Sequence, residues 1–300
     1  MQVAVLYGGD SAEREVSLRS GARVCTGLRA CGHEVLPLPL CGEPSAEEIV
    51  LMARADAVFL ALHGGAGEDG RLQALLERNG VFHYTGSEPV AAALAMNKER
   101  AKARVCAAGV PTANGATLAA WESDPPLRYP FVCKPLCGGS SLGLSFIYDE
   151  KDWQKLAPSG HFSEEMLCEE MLSGREFTVT VLQSRALPVV EIRPLDGAYD
   201  YHHKYTVGAS EELCPAPVSE MEKMRLSALA LTAFHALGLR DYARIDLKES
   251  ATGEPCFLEA NSLPGMTETS LMPLAAKAAG ISFPALCDTM ARLAGNRKKT

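Results

Sequence analysis

Two runs near the carboxyl end constrain the fold most: Tyr242-Ala-Arg-Ile-Asp-Leu-Lys248 and Cys256-Phe-Leu-Glu-Ala-Asn261. Each alternates polar and apolar residues, the period of a β-strand. Ser250-Ala-Thr-Gly253 offers a turn between them, so they read as an antiparallel hairpin. Side chains alternate faces along a strand. Arg244 and Asp246 therefore project to one side, and Ala243, Ile245 and Leu247 to the other. In the second run Glu259 and Asn261 share a face, with Leu258 and Ala260 opposed. If the runs pair, one face holds two carboxylates, an amide and a guanidinium. Asp246, Glu259 and Asn261 offer hard oxygen ligands, which suit Mg²⁺ sharing its shell with phosphates and water. A solvent-facing sheet shows the same pattern, and at this level both readings stand. Asn261 runs into Ser262-Leu-Pro-Gly-Met-Thr267, a Pro-Gly turn that ends the strand.

Residues 1 to about 97 alternate strand and helix. An apolar strand at 3–6 ends at Gly8-Gly9, and Asp10-Ser-Ala-Glu13 resembles a capping box. Another apolar strand at 57–62 precedes His63-Gly-Gly-Ala-Gly-Glu-Asp-Gly70, with a short strand at 81–84. Such alternation implies a parallel sheet wrapped by helices, with ligands beyond the carboxyl ends of its strands. From residue 98 the pattern changes to a helix, strands at 131–134 and 144–148 flanking Pro135-Leu-Cys-Gly-Gly-Ser-Ser-Leu-Gly143, another strand pair at 176–182 and 187–192, a long helix at about 219–237, the hairpin, and two closing helices. The fold class is α/β, turning to α+β in the second part. The domains expected are 1–97, 98–181 and 182–300.

Three hundred residues suit two or three domains, and 22% charged with 47% hydrophobic residues is ordinary for a soluble enzyme. A net charge of −8 argues against nucleic acid as main partner. No stretch is long and apolar enough to span a membrane. The start lacks a basic region and cleavage site, so the expected compartment is the cytoplasm. Ten cysteines follow no Cys-x-x-Cys spacing and are expected as free thiols, with Cys25, Cys106, Cys168 and Cys256 in the core and Cys137 in a Gly-rich loop.

The loop 138–143 lies between strands, unlike the Lys-Ser/Thr loop that opens a helix. It suits closing over phosphates with backbone N–H groups, or is an ordinary hairpin with a glycine bulge. Lys134 stands at the strand end before it. Lys98 follows an apolar helical run and also reads as solvated. Glu169-Glu-Met-Leu-Ser-Gly-Arg-Glu176 places acids where an adenine amino group or a ribose hydroxyl is bonded, or forms an exposed turn.

In order along the chain, Lys98, Lys134, the Gly-Ser-Ser loop, the acidic hinge, Arg244-Ile-Asp246 and Glu259-Ala-Asn261 resemble the ATP-grasp ligases. More narrowly, the chain resembles the D-alanine–D-alanine ligases. That match rests on Ser11-Ala-Glu-Arg-Glu-Val-Ser17, Leu62-His-Gly64, Gly67-Glu-Asp-Gly70, Tyr84-Thr-Gly86, Ala95-Met-Asn-Lys98, Leu172-Ser-Gly-Arg-Glu-Phe-Thr-Val179, Tyr199-Asp-Tyr-His-His-Lys-Tyr205 and Asn261-Ser-Leu-Pro-Gly-Met-Thr267 leading to Ser270-Leu271. It spans essentially the whole chain.

The resemblance implies three domains, with ATP held between two antiparallel sheets. It implies that Lys98, Lys134, Ser140 and Ser141 meet the phosphates, Glu169, Met171 and Leu172 the adenine, and Glu176 the ribose. Asp246, Glu259 and Asn261 would hold two Mg²⁺ (or Mn²⁺) ions. A first D-alanine carboxylate attacks the γ-phosphate, and the amine of a second then attacks the acyl phosphate. Arg244 and the Gly265 N–H match the groups that stabilise the oxyanion, where losing one donor costs about 2.7–4 kcal/mol of barrier. Glu15 matches the acid for the first ammonium, with His63 beside it. Ser140, Tyr205 and Glu15 match a triad tying a lid at 199–206 to the first domain. Lys204, Ser270 and Leu271 match the second carboxylate site. The product implied is D-alanyl-D-alanine for peptidoglycan precursors. The alternatives are another ligase that uses D-lactate or D-serine, or a nucleotide-binding sensor. A homodimer is the family expectation.

Overall fold

The computed structural model describes residues 1–120, 124–139, 143–156, 162, 164–194 and 210–299. Among them three sheets form. Strand β1 (Gln2–Gly8) lies between β2 (Glu34–Leu40) and β3 (Ala57–Leu60), all parallel. Val3, Ala4, Val5 and Leu6 are fully buried, because helices cover both faces of a parallel sheet. Tyr84 extends this sheet only as a single bridge to Val58, in place of the strand expected at 81–84.

Helix α1 (Arg14–Ala30) starts without the capping box read from its sequence: Glu13 is its N-cap and makes no side-chain cap. Ser11 is engaged elsewhere, its hydroxyl donating to the His63 carbonyl at 2.5 Å. The box appears instead on α2 (Ala46–Arg54), between Ser45 and Glu48. Helices α3 (Arg71–Arg78), α4 (Pro89–Met96) and α5 (Lys98–Ala107) follow, with the Asn97 side chain capping α5 through the Arg100 N–H at 2.9 Å.

The second sheet is antiparallel. It joins β4 (Gly115–Leu118), β5 (Phe131–Pro135), β6 (Ser145–Ile147) and β7 (Met166–Glu170) in the order β4-β7-β5-β6. Trp153 of α6 (Glu150–Leu156) is buried in the small core behind it, near Phe131, Cys133 and Cys168. The third and largest sheet holds β8 (Glu176–Leu182), β9 (Arg185–Ala186), β10 (Val190–Pro194), β11 (Ser210–Leu213), β12 (Tyr242–Glu249) and β13 (Pro255–Asn261). Its order is β11-β10-β8-β12-β13, with β9 on β8, and α7 (Glu220–Ala236) packs on it.

Contacts cross the expected division of the chain in two places. Residues 176–181, assigned to the central part, form most of a strand bonded to β12 and β10 in the largest sheet. The last helices, α8 (Leu271–Ala278) and α9 (Phe283–Gly295), return to the first sheet, where Met272, Leu286 and Met290 share a core with the strand at 3–6. Both differences come from contacts distant in sequence, which local periodicity does not carry. Cys106 lies on the exposed side of α5, not in the core, whereas Cys25, Cys168 and Cys256 are buried and Cys137 is exposed; all ten cysteines are free. No described helix is long and apolar enough to cross a membrane.

Candidate active site

The hairpin forms as its sequence indicates, with Asp246 opposite Glu259 and Arg244 opposite Asn261. A bulge interrupts it, because Leu247 pairs with Phe257 and leaves Leu258 as the extra residue. Leu258 therefore lines the same cavity as Glu259 and Asp246, and only Ala260 faces the core as expected. The Asp246 carboxylate is buried and fixed from three sides. Arg244 donates to both its oxygens at 2.8 Å, Thr178 of β8 donates at 2.6 Å, and the Asn261 amide donates at 3.1 Å. Bidentate pairing of this kind fixes direction as well as distance. It aligns Arg244 along the strand and fixes the direction of the Asp246 carboxylate. Two facing carboxylates and an amide fit a hard divalent ion.

A cleft runs between the two antiparallel sheets. It brings together Lys98, Lys134, Glu169, Met171, Leu172, Glu176, Asp246 and Glu259 from segments far apart in sequence. Lys98 is buried and donates to the carbonyls of Gly138 at 2.6 Å and Pro135 at 3.4 Å, so it grips the base of the Gly-rich loop. Glu169 is buried, bonded to Lys134 at 2.5 Å and in contact with Lys102. Lys102 also donates to the Ala113 carbonyl at 3.0 Å. Burial pulls its ammonium below the usual range, to about 8, and nearby Glu170 offsets part of that. Glu176 pairs with Lys248 at 2.9 Å at the far end of the cleft.

A second cavity adjoins the first across Gly139. Arg244, Asn261, Gly265, Ser270, Leu271 and His63 line it, together with Glu13 and Glu68. Ser270 ties down the turn, accepting from the Thr267 N–H at 2.9 Å and bonding the Thr267 hydroxyl at 2.8 Å. Gly265 packs so closely on it that a Cβ there would lie 2.7 Å from Ser270 Oγ.

Glu15 is not brought to this cavity. Its side chain is 85% exposed and lies 3.9 Å from Arg14. Glu13 lines the cavity instead, 8% exposed. A Cβ on Gly64 would stand 2.7 Å from Glu13 Oε2, and one on Gly139 3.5 Å away, so two glycine turns close on one carboxylate. Gly64 also has φ +68°, which favours glycine. Glu13 is the N-cap, just before α1 begins, and Glu15 lies in the first turn, so the two side chains leave the backbone in different directions. Glu68, 3.7 Å from His63 Nδ1, and Lys102 are also absent from the sequence reading. Each lay within a motif or helix already singled out, but their partners are remote. Ser140, Ser141, Lys204 and Tyr205 lie outside the described residues.

A family model described as the D-ala D-ala ligase C-terminus matches residues 112–292. The D-alanine--D-alanine ligase of Methylacidiphilum infernorum (isolate V4) is 40% identical over 99% of this chain and 96% of its own. The crystal structure of the Bacillus anthracis D-alanine--D-alanine ligase complexed with ATP superposes with a TM-score of 0.82 at 28% identity, covering 100% of this chain and 98% of that one. The VanG D-Ala:D-Ser ligase of Enterococcus faecalis gives 0.80 at 28% identity, covering 98% and 99%. Matched over its whole length by sequence and by fold, the chain belongs to the D-alanine–D-alanine ligase family.

Proposed function

We propose that this enzyme joins two D-alanine molecules with ATP, giving D-alanyl-D-alanine, ADP and phosphate. One observation carries the reading: the cleft between the antiparallel sheets and the second cavity meet at Gly139, and Arg244, which lines the cavity, is bonded to Asp246, which lines the cleft. A γ-phosphate entering from the cleft thus reaches a carboxylate held in the cavity.

Lys98 and Lys134 face the phosphates, while Glu169, Met171 and Leu172 line the adenine end and Glu176 the ribose. Mg²⁺ (or Mn²⁺), when held by Asp246, Glu259 and Asn261, supplies neutralising charge on those phosphates. Glu13, in the role first read at Glu15, takes the ammonium of the first D-alanine, with His63 alongside. That alanine's carboxylate attacks the γ-phosphorus, the β–γ bridging bond breaks, and ADP leaves. The second amine then attacks the acyl carbon after losing a proton, and phosphate departs. Arg244 and the Gly265 N–H, which both line the second cavity, serve as donors to the oxyanion, and Asp246 holds the Arg244 guanidinium in place as charge forms. Ser270, Leu271 and Lys204 hold the second carboxylate. The family resemblance gives Ser140, Ser141 and Tyr205, which lie outside the described residues, the part of excluding water from the acyl phosphate. A homodimer acting in the cytoplasm on peptidoglycan precursors belongs to the same reading.

The test is ADP release from ATP and Mg²⁺ with D-alanine, L-alanine, D-alanine plus D-lactate, or D-alanine plus D-serine, with products identified by mass. Turnover with D-alanine alone, giving the dipeptide, is expected. Turnover only with a hydroxy acid or D-serine as second substrate would overturn the substrate assignment. ATP binding without turnover would favour a sensor. Sedimentation velocity measures the assembly.

A further inference from the structure

We infer that Ser20 is a positioning residue: it holds His63 as the Nδ1–H tautomer and seats the Gly265–Met266 turn beside it. Ser20 is fully buried on α1, and its Oγ lies 3.0 Å from His63 Nε2. The same oxygen accepts the Met266 N–H at 3.2 Å. A hydroxyl has one proton to give and two lone pairs to receive with. Having accepted from Met266, Ser20 still must place its own proton, and among the described residues its other hydrogen-bonding partner is Nε2 of His63. A buried hydroxyl proton left without an acceptor is costly. The hydroxyl therefore donates to Nε2. A neutral imidazole with a bare ε nitrogen carries its proton on the δ nitrogen.

That δ nitrogen is the one near Glu68, at 3.7 Å, in the cavity that also holds Glu13 and Arg244. His63 thus offers the cavity a donor. It suits a carboxylate or acyl oxygen of the first substrate, and leaves the ammonium to the carboxylates. Arg23, three residues along and on the same helix face as Ser20, donates to the carbonyls of Met266 at 3.0 Å and Thr267 at 2.5 Å. Helix α1 therefore holds His63 and the oxyanion-side turn as one unit, although neither group lies on it.

Long-range ¹H–¹⁵N correlation spectra of ¹⁵N-labelled enzyme report which imidazole nitrogen bears the proton. The His63 signals are assigned by their loss in His63→Gln, and a pH series isolates the neutral form. The expected wild-type pattern is a protonated Nδ1 and a bare Nε2. Ser20→Ala should lose that pattern and raise KM for D-alanine about three- to tenfold, the worth of one ordinary hydrogen bond, with KM for ATP within about twofold. Ser20→Thr, which keeps the hydroxyl, should restore the tautomer. A wild-type spectrum with Nε2 protonated overturns the inference whatever the variants do, as does a Ser20→Ala spectrum identical to wild type. The kinetic arm rests on the ligase reading, and the spectroscopic arm does not. A bare Nε2 in an enzyme that makes no dipeptide would overturn the ligase reading alone.

Discussion

Lys102 touches no expected ligand, yet it shares Glu169 with Lys134 in the wall of the cleft between the antiparallel sheets. Removing its ammonium leaves the buried Glu169 with one cation instead of two and lets Lys134 follow it. Lys102→Met should raise KM for ATP about tenfold, as expected for one charge-assisted bond, and change kcat less. Steady-state kinetics with ATP varied would show it, and an unchanged KM would remove Lys102 from the site. The paired variants Glu13→Gln and Glu15→Gln separate the two acids. The first should raise KM for D-alanine roughly tenfold or more, and the second, at an exposed position, should stay within about twofold. The reverse order would restore Glu15 to the role. Legibility in sequence divides along the same line. Arg244, Asp246, Glu259 and Asn261 were readable because a strand's period puts them on one face with no need of the rest of the molecule. Glu13, Glu68 and Lys102 were not. Their function depends on which way the first turn of a helix points, or on a partner dozens of residues away.

The largest sheet is stitched by a charge cluster at one end. Glu191 of β10 is 2% exposed and accepts paired hydrogen bonds from Arg175 and Arg193 at 2.9–3.0 Å. Burial raises its carboxyl, but Arg175 and then Arg193 outweigh that, so it titrates below its usual range. A depressed carboxylate adds stability above its unfolded pKa, about 4.3, and that stability is lost as pH falls through the folded value. Glu191→Gln should therefore destabilise the enzyme by about 1.5–3 kcal/mol at pH 7, with the gap shrinking below about pH 4. Urea unfolding at pH 7 and pH 3 measures both, and a gap independent of pH would contradict the assignment. The strands were legible as elements, including the pair read at 176–182 and 187–192, whose second member forms at 190–194. Their sheet was not, because β8 finds β12 more than sixty residues away.

Across the whole molecule, the first and largest sheets are locked together and the four-stranded sheet is the separate part. Arg240 bonds the Gly86 carbonyl at 3.0 Å and Glu88 at 2.8 Å, while Asp241 accepts from the Gly86 N–H at 3.3 Å and is held by Arg297. Helices α8 and α9 add apolar packing across the same junction. The four-stranded sheet has a small core of its own around Trp153 and Phe131. It should open at lower free energy than the rest, since local opening follows the apolar contact each unit holds. Hydrogen exchange followed by mass spectrometry should find amides of β5 and β7 exchanging before those of β1 and β12. Equal protection would mean that all three sheets unfold as one body.

The bulge at Leu258 bears on how such chains can vary in length. An unbroken strand would send every second side chain to the core, yet here two neighbours, Leu258 and Glu259, both reach the cleft between the antiparallel sheets. A one-residue insertion or deletion between the turn and Glu259 would swap that carboxylate to the apolar face and end its service. Residues 251–253 of the turn are exposed and carry no such duty. Among family members, gaps in this hairpin should gather in that turn and avoid the five residues before Asn261, a pattern that an alignment of their sequences would reveal or refuse.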